Sequence, residues 1–259
     1  PFIYATCKSD MLIKGEDPNK IAYGSTLSAY GFDRELKFDF MLTNPPYGKT
    51  WAPDKKILGV GDKGKIIDPR FAIGTSRIND GQLMFVQHMI SKMKETELGS
   101  RIASVHNGSA LFTGDAGQGE SEIRKHLLEN DLIEAIIALP NDMFYNTGIP
   151  TYIFIIANRK TAERKGKVQL LNVSSEKFYH KMRKPLGKKR VEFNSECIKE
   201  INKFYNFLEN NDFSIFFVNK DFVYAQITFH IPFRDEIVKP LTASKVLFLI
   251  HFCPCGPCE

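Results

Sequence analysis

Short apolar runs alternating with segments of helical texture constrain the fold of this chain more than any other feature. Phe38–Thr43, Arg101–His106, Leu132–Leu139, Tyr152–Ala157 and Val168–Val173 read as strands, with Ile21–Leu27 as a further short one. Between them lie helices over Gly81–Lys94 and after "TGDAGQGE", where Glu120 and Glu122 occupy a first turn that favours acids. Ser195–Glu209 repeats Ile198, Ile201, Tyr205 and Leu208 on one face. Strands alternating with helices predict an α/β layered domain with a mostly parallel sheet. No helix separates Leu132–Leu139 from Tyr152–Ala157, so one of that pair is expected to run antiparallel. Gly48–Asn79 reads as a long polar loop and "KMRKPLGKKR" as a basic one.

The 259 residues can hold one large domain, and 43% hydrophobic with 25% charged residues is ordinary for a globular protein. A net charge of +5 requires any polyanion site to be local. The apolar run Val246–Ile250 is far too short for a membrane span, and five unevenly spread cysteines suggest no disulfide framework. A reduced, cytoplasmic protein is expected. The chain begins at Pro1, without Met, on a helix in which Ile3, Cys7 and Met11 recur up to Gly15; the expectation is a fragment.

The sharpest chemical signal is "FDFMLTNPPYGKTW". In open α/β sheets, ligands bind at the carboxyl ends of strands, and Asn44–Tyr47 follow one. Pro45 and Pro46 fix φ, lack N–H groups and hold the preceding residues extended, so the loop presents carbonyl oxygens. With the neutral amide of Asn44, two converging acceptors suit both hydrogens of a planar amine. Its nitrogen is a poor nucleophile, and acceptors favouring the cationic transition state accelerate its alkylation. Tyr47 offers a flat face to the ring bearing that amine. Against this stands a plain Pro-rich connector; the position after a strand favours the clamp.

"FDFMLTNPPYG" resembles the catalytic motif of amino-group methyltransferases that use S-adenosylmethionine. "YATCKSDMLIKGEDP", "DGQLMFVQHMISKMK", "GSRIASVHNGSALFTGDAGQGESEIR" and "LIEAIIALPNDMFYNTGIPTYIFIIANRKTAERKGKVQLL" resemble the modification subunits of type I restriction–modification systems, which are adenine-specific DNA methyltransferases. The likeness runs from about Tyr4 to about Phe222. It implies a Rossmann-like S-adenosylmethionine-dependent methyltransferase sheet, truncated at its N-terminus, with a smaller C-terminal extension. The expected division is a partial catalytic domain over 1–160, an extension over 161–222 and a divergent tail over 223–259.

The resemblance places Asn44, Pro45, Pro46 and Tyr47 on the catalytic motif, and Phe144 in a loop that supplies a second aromatic against an extruded base, with Tyr145 an equal occupant. Ser25, Thr26 and Asn44 are the cofactor-side candidates; the family's glycine-rich cofactor loop belongs upstream of Pro1. Lys181, Arg183, Lys184, Lys188, Lys189 and Arg190 are candidate phosphate contacts, although a solvated basic loop accounts for them equally well. Implied partners are DNA, a specificity subunit, a restriction subunit and a second copy of the chain, with no membrane. Rival readings are a protein-glutamine or RNA methyltransferase and a non-catalytic remnant that keeps only subunit or DNA binding.

Other motifs are weaker. "GVGDKG", Gly59–Gly64, lacks the preceding strand that a dinucleotide turn needs. "GDAGQG" reads as a rim loop. Cys253, Cys255 and Cys258 fall short of a closed tetrahedral set, so no metal is expected. His88 and His106 read as structural residues with satisfied nitrogens.

Overall fold

In a computed structural model, residues 2–59, 66–227 and 242–246 of the chain are described. Six strands form one sheet: β1 (Phe40–Thr43), β2 (Arg101–Asn107), β3 (Ile133–Ala138), β4 (Thr151–Ala157), β5 (Lys167–Asn172) and β8 (Ser214–Val218). Their order across it is β1-β2-β4-β3-β5-β8. β1 and β2 pair in parallel, as do β3 and β5. β4 runs antiparallel to both β2 and β3, and β8 antiparallel to β5. The 139–150 connection, without a crossover helix, can only return the chain antiparallel. β1, β2, β3 and β5 therefore point the same way, and their carboxyl ends share one edge of the sheet. The sheet continues past residue 160, where the catalytic part was expected to end, since β5 and β8 belong to it.

Helices cover both faces. α3 (Gln82–Ile90) and α5 (Gly119–Glu129) pack Leu83, Val86, Ile123 and Leu127 against Ile102, Ile136, Phe154 and Ile156. On the other face, Ile201, Phe204 and Tyr205 of α6 (Ser195–Asn206) meet Ile137, Leu171 and Phe178. Each such buried Leu, Ile or Phe contributes about 1.5–3 kcal/mol. The β3–β4 register shifts between Ile133 and Ala135, at Glu134. That carboxylate, 1% exposed, accepts from Arg101 at 2.8 Å and from the Tyr205 hydroxyl, fastening α6 to the sheet.

Several expectations need correction. Ile21–Leu27 is not a strand: Gly24 sits at φ +150, where a Cβ would lie 2.4 Å from the Ala29 carbonyl oxygen. The Ala29 and Leu27 N–H groups then bond to Ser25 O and Oγ, which takes the donors a ladder would use. The polar loop after Gly48 contains the short helix α2 (Ala52–Leu58). The basic loop is a hairpin of β6 (His180–Leu186) and β7 (Lys189–Glu192), and α6 stops at Asn206 rather than Glu209. The opening helix, α1 (Phe2–Ile13), closes as expected at Gly15, with Glu16 N–H on Met11 O and Gly15 N–H on Leu12 O. Its apolar residues are not buried. β1 carries a similar stripe: Phe40 is 77% and Leu42 85% exposed, while Met41 packs on the core.

Beyond Phe222, β9 (Val223–Ile227) and β10 (Thr242–Val246) form an antiparallel pair. Cys253, Cys255, Cys258 and most of "GVGDKG" lie outside the described residues.

Candidate active site

β1 ends at Thr43, and Asn44 emerges exposed at the carboxyl edge of the sheet. Pro45 is buried and Pro46 exposed, so one proline anchors the loop while its neighbour faces outward. Tyr47 is half-buried, and desolvation pushes its phenol above the ordinary value. At Gly48 the chain turns through φ +63 and donates its N–H to Asp80 Oδ1 at 3.1 Å. Trp51, 3% exposed, closes the segment: its N–H bonds to Ile78 O and its indole N–H to Arg77 O, both at 3.0 Å. A Cβ on Gly81 would stand 2.9 Å from Trp51 Cδ1. Gly81→Ala should therefore cost about 1–3 kcal/mol by overpacking, read as a lower urea midpoint with shifted fluorescence from the sole tryptophan.

Beneath this loop lies a polar network that sequence reasoning missed. Asp80, 5% exposed, also accepts at Oδ2 from Ser109 Oγ at 2.6 Å and from Gln82 Nε2 at 2.8 Å. Burial pushes this carboxyl up, but hydrogen bonds from Ser109, the Gly48 N–H and Gln82 outweigh it and hold it below the usual value. Gln82 Nε2 reaches Asn107 Oδ1 at 2.7 Å as well, on the last residue of β2. With its amide nitrogen so used, Gln82 turns Oε1 towards His106 Nδ1 at 3.1 Å, which must carry the proton. His106 Nε2 is then a bare acceptor, buried without a partner, so only one of its nitrogens is satisfied. Burial lowers this imidazole to about 3. Ser109 begins the short helix α4 (Ser109–Phe112) directly after β2.

Phe144 lies in the 139–150 loop, which leaves the same sheet edge from β3. Three strand spacings separate β1 from β3, about 14 Å at the base of the two loops. Phe144 is half-buried against the cluster of Leu139, Val173 and Phe178, whereas Tyr145 is 57% exposed with Lys189 Nζ 5.5 Å from its ring centre. The basic hairpin is bound to this loop by main chain: Lys188 N–H to Tyr145 O and Arg190 N–H to Asp142 O, both at 2.9 Å. Gly187, at φ +62, turns the hairpin in two residues. A Gly at the first of two turn positions was the available sequence signal. Arg183, Lys184, Lys188 and Arg190 are exposed and Lys189 partly so, while Lys181 pairs with Glu176 at 2.6 Å. Between loop and hairpin opens a cavity of about 790 Å³ edged by Asn141, Tyr152, Tyr179 and Arg190.

The Ser25–Ser28 turn packs close to the clamp. Leu27 shares a buried cluster with Trp51, Phe71 and Met84, and Ser28 Oγ donates to Asp54 Oδ1 at 2.5 Å. Arg70 holds the turn from below, donating to Thr26 O at 3.1 Å and to Leu27 O at 2.7 Å. Ser25 is half-buried and Thr26 exposed. The hydroxyls of Ser25 and Thr26 and the Asn44 amide are neutral polar groups, a set that carries no charge to repel a sulfonium. Among the described residues, the glycine-rich turn that opens a helix, 114–119 before α5, comes after β2 in the chain and not before β1. No group of His, Cys, Asp and Glu there could hold a metal, and no helix is long and apolar enough to cross a membrane.

Asn-Pro-Pro-Tyr and the aromatic loop leave the same strand-end edge of this α/β sheet, and comparison with known proteins gives the family. The family described as N-6 DNA Methylase matches residues 2–226, and the chain belongs to it. It is similar to the type I restriction enzyme MjaVIII methylase subunit of Methanocaldococcus jannaschii, 34% identical over 176 residues, covering 68% of this chain and 28% of that one. The HindI methylase subunit of Haemophilus influenzae is 29% identical over 173 residues, covering 66% and 35%. Among solved structures, a type I restriction-modification methyltransferase subunit from Streptococcus thermophilus superposes with TM-score 0.65 at 26% identity, covering 82% of this chain and 41% of that one. The chain thus spans about a third of the length of these curated relatives.

Proposed function

We propose that this chain carries the amine-binding part of an adenine-specific DNA methyltransferase, the modification subunit of a type I restriction–modification system. The observation that carries the reading is Asn44–Tyr47 at the end of β1, on the edge that also bears the Phe144 loop, within a chain of the N-6 DNA methylase family. Asn44 Oδ1 and the Pro45 carbonyl accept the two hydrogens of the adenine amine and turn its lone pair outward. Tyr47 and Phe144 take the two faces of the extruded base. Bound beside Ser25, Thr26 and Asn44, S-adenosylmethionine would supply an electrophilic sulfonium methyl group.

The proposed partners are DNA, a specificity subunit that reads sequence, a restriction subunit and a second copy of this chain, in the cytoplasm. The chain's similarity to type I restriction enzyme methylase subunits supports this assembly. The test is to digest DNA exposed to the assembled enzyme and assay nucleosides by mass spectrometry. N6-methyladenine is expected; methylated RNA or glutamine without it would overturn the reading.

The hairpin yields a separate expectation. Replacing both Arg183 and Lys184 with Gln should flatten the plot of log affinity against log salt by about 0.9 for each phosphate no longer neutralised. Lys181→Gln should change it less, because Glu176 already engages that ammonium. A slope in the double variant unchanged from the wild type would remove the hairpin from the DNA-binding surface.

A further inference from the structure

We infer that Asp80 is a positioning residue for the amine clamp, an inference that rests on the reading of Asn44–Tyr47 given above. Its two carboxylate oxygens serve different elements. Oδ1 takes the Gly48 N–H at 3.1 Å, and Oδ2 takes Ser109 Oγ at 2.6 Å and Gln82 Nε2 at 2.8 Å. One buried side chain thereby joins the clamp loop to the start of α3 and to the β2–α4 junction.

The loop needs such an anchor because of its own composition. Pro45 and Pro46 have no N–H to give, so Gly48 carries the first main-chain donor after Tyr47, and Asp80 receives it. Arg77 and Ile78, from the same segment, hold Trp51 three residues further on. Residues 77–80 therefore form a cradle for 48–51. The cradle is itself fixed: Arg77 N–H donates to Glu120 Oε1 at 2.8 Å, and Asn107 Oδ1 bonds Gln82 Nε2 at 2.7 Å. The Asp80 carboxylate is buried, with its oxygens engaged by Gly48, Gln82, Ser109 and Arg77. Its effect on methyl transfer passes through the placement of Tyr47 and the proline carbonyls.

The test compares Asp80→Ala and Asp80→Asn in the assembled enzyme, on whichever amine the wild type methylates. Asp80→Ala should lower kcat about 10²-fold, the effect of a roughly 1 Å misplacement, with KM for DNA changed less than about two-fold. Asp80→Asn keeps an oxygen for Gly48 and should restore most of kcat. In the present chain, amide exchange at Gly48 should quicken in Asp80→Ala while the emission of Trp51 stays put. Unchanged Gly48 exchange would overturn the anchor, and faster exchange with normal kcat would overturn the positioning role. A rise in KM matching the fall in rate would also overturn it. Should Asp80→Ala lose the Trp51 signal, Asp80→Asn and Ser109→Ala decide by the same ratio. The exchange arm does not depend on which amine is methylated, so failure of the adenine reading is seen separately.

Discussion

Asn44→Ala is expected to lower methyl transfer by the assembled enzyme about 10²–10³-fold, the usual effect of removing one preorganised electrostatic interaction. Fold and DNA affinity should be retained. Asn44 is exposed at the end of β1, so its truncation leaves no cavity and disturbs no core packing. The loss should fall on kcat, because a neutral acceptor helps most when the amine becomes cationic. Asn44→Asp keeps the oxygen and should retain more activity than alanine does. Single-turnover methylation with circular dichroism on the same samples makes the measurement. A folded alanine variant with near-normal turnover would leave the clamp without its side-chain acceptor.

The double substitution Tyr47→Ala with Phe144→Ala is expected to abolish stable extrusion of the target adenine. Taking a base out of the stack costs a few kcal/mol, and stacking on one aromatic returns about 1–3 kcal/mol. One face offsets that cost only in part, while two can cancel it. A fluorescent adenine analogue at the target position should brighten with the wild type and stay dim with the double variant, even where DNA remains bound. The single variants should differ. Tyr47 stands half-buried beside Asn44, whereas part of the Phe144 ring is committed to packing on Leu139 and Phe178. An undiminished signal in the double variant would hand the second face to Tyr145, which is the more exposed of the pair.

Most strands were legible because their apolar runs fill buried sheet positions, as Ile133–Ala138 does along its whole length, whereas β1 is apolar with Phe40 and Leu42 exposed. That one strand of the β3–β4 pair runs antiparallel followed from what the sequence lacks between Leu139 and Thr151, and the structure shows it to be β4. Ile21–Leu27 looked equally apolar but is governed by Gly24, whose backbone lies against Ala29. The hairpin escaped notice for the opposite reason. Its residues are nearly all exposed, so no alternation marks them, and the carbonyls of the 139–150 loop that hold its turn and β7 are distant in sequence. Of the site, the contiguous Asn-Pro-Pro-Tyr could be read directly. Asp80 could not, because its partners at 48 and 109 are distant in sequence and converge only once β1 lies beside β2. "NDGQLMF" hinted at a polar helix start, and nothing in its spelling pointed to Gly48.

In the proposed DNA complex, the shared main-chain bonds between the basic hairpin and the Phe144 loop would alter when the work of recognition is done. A duplex resting on Arg183 and Lys184 would already restrain Lys188 and Arg190, and through them the carbonyls of Tyr145 and Asp142. Ordering a loop costs about 1–2 kcal/mol of backbone entropy per residue. Here that loss would occur during the sequence-independent encounter, before any adenine leaves the helix. Reciprocity then requires an extruded base to tighten the hairpin's hold on the strand by the same factor. Ionic strength would thus govern the readiness of the base pocket as well as the lifetime of the complex.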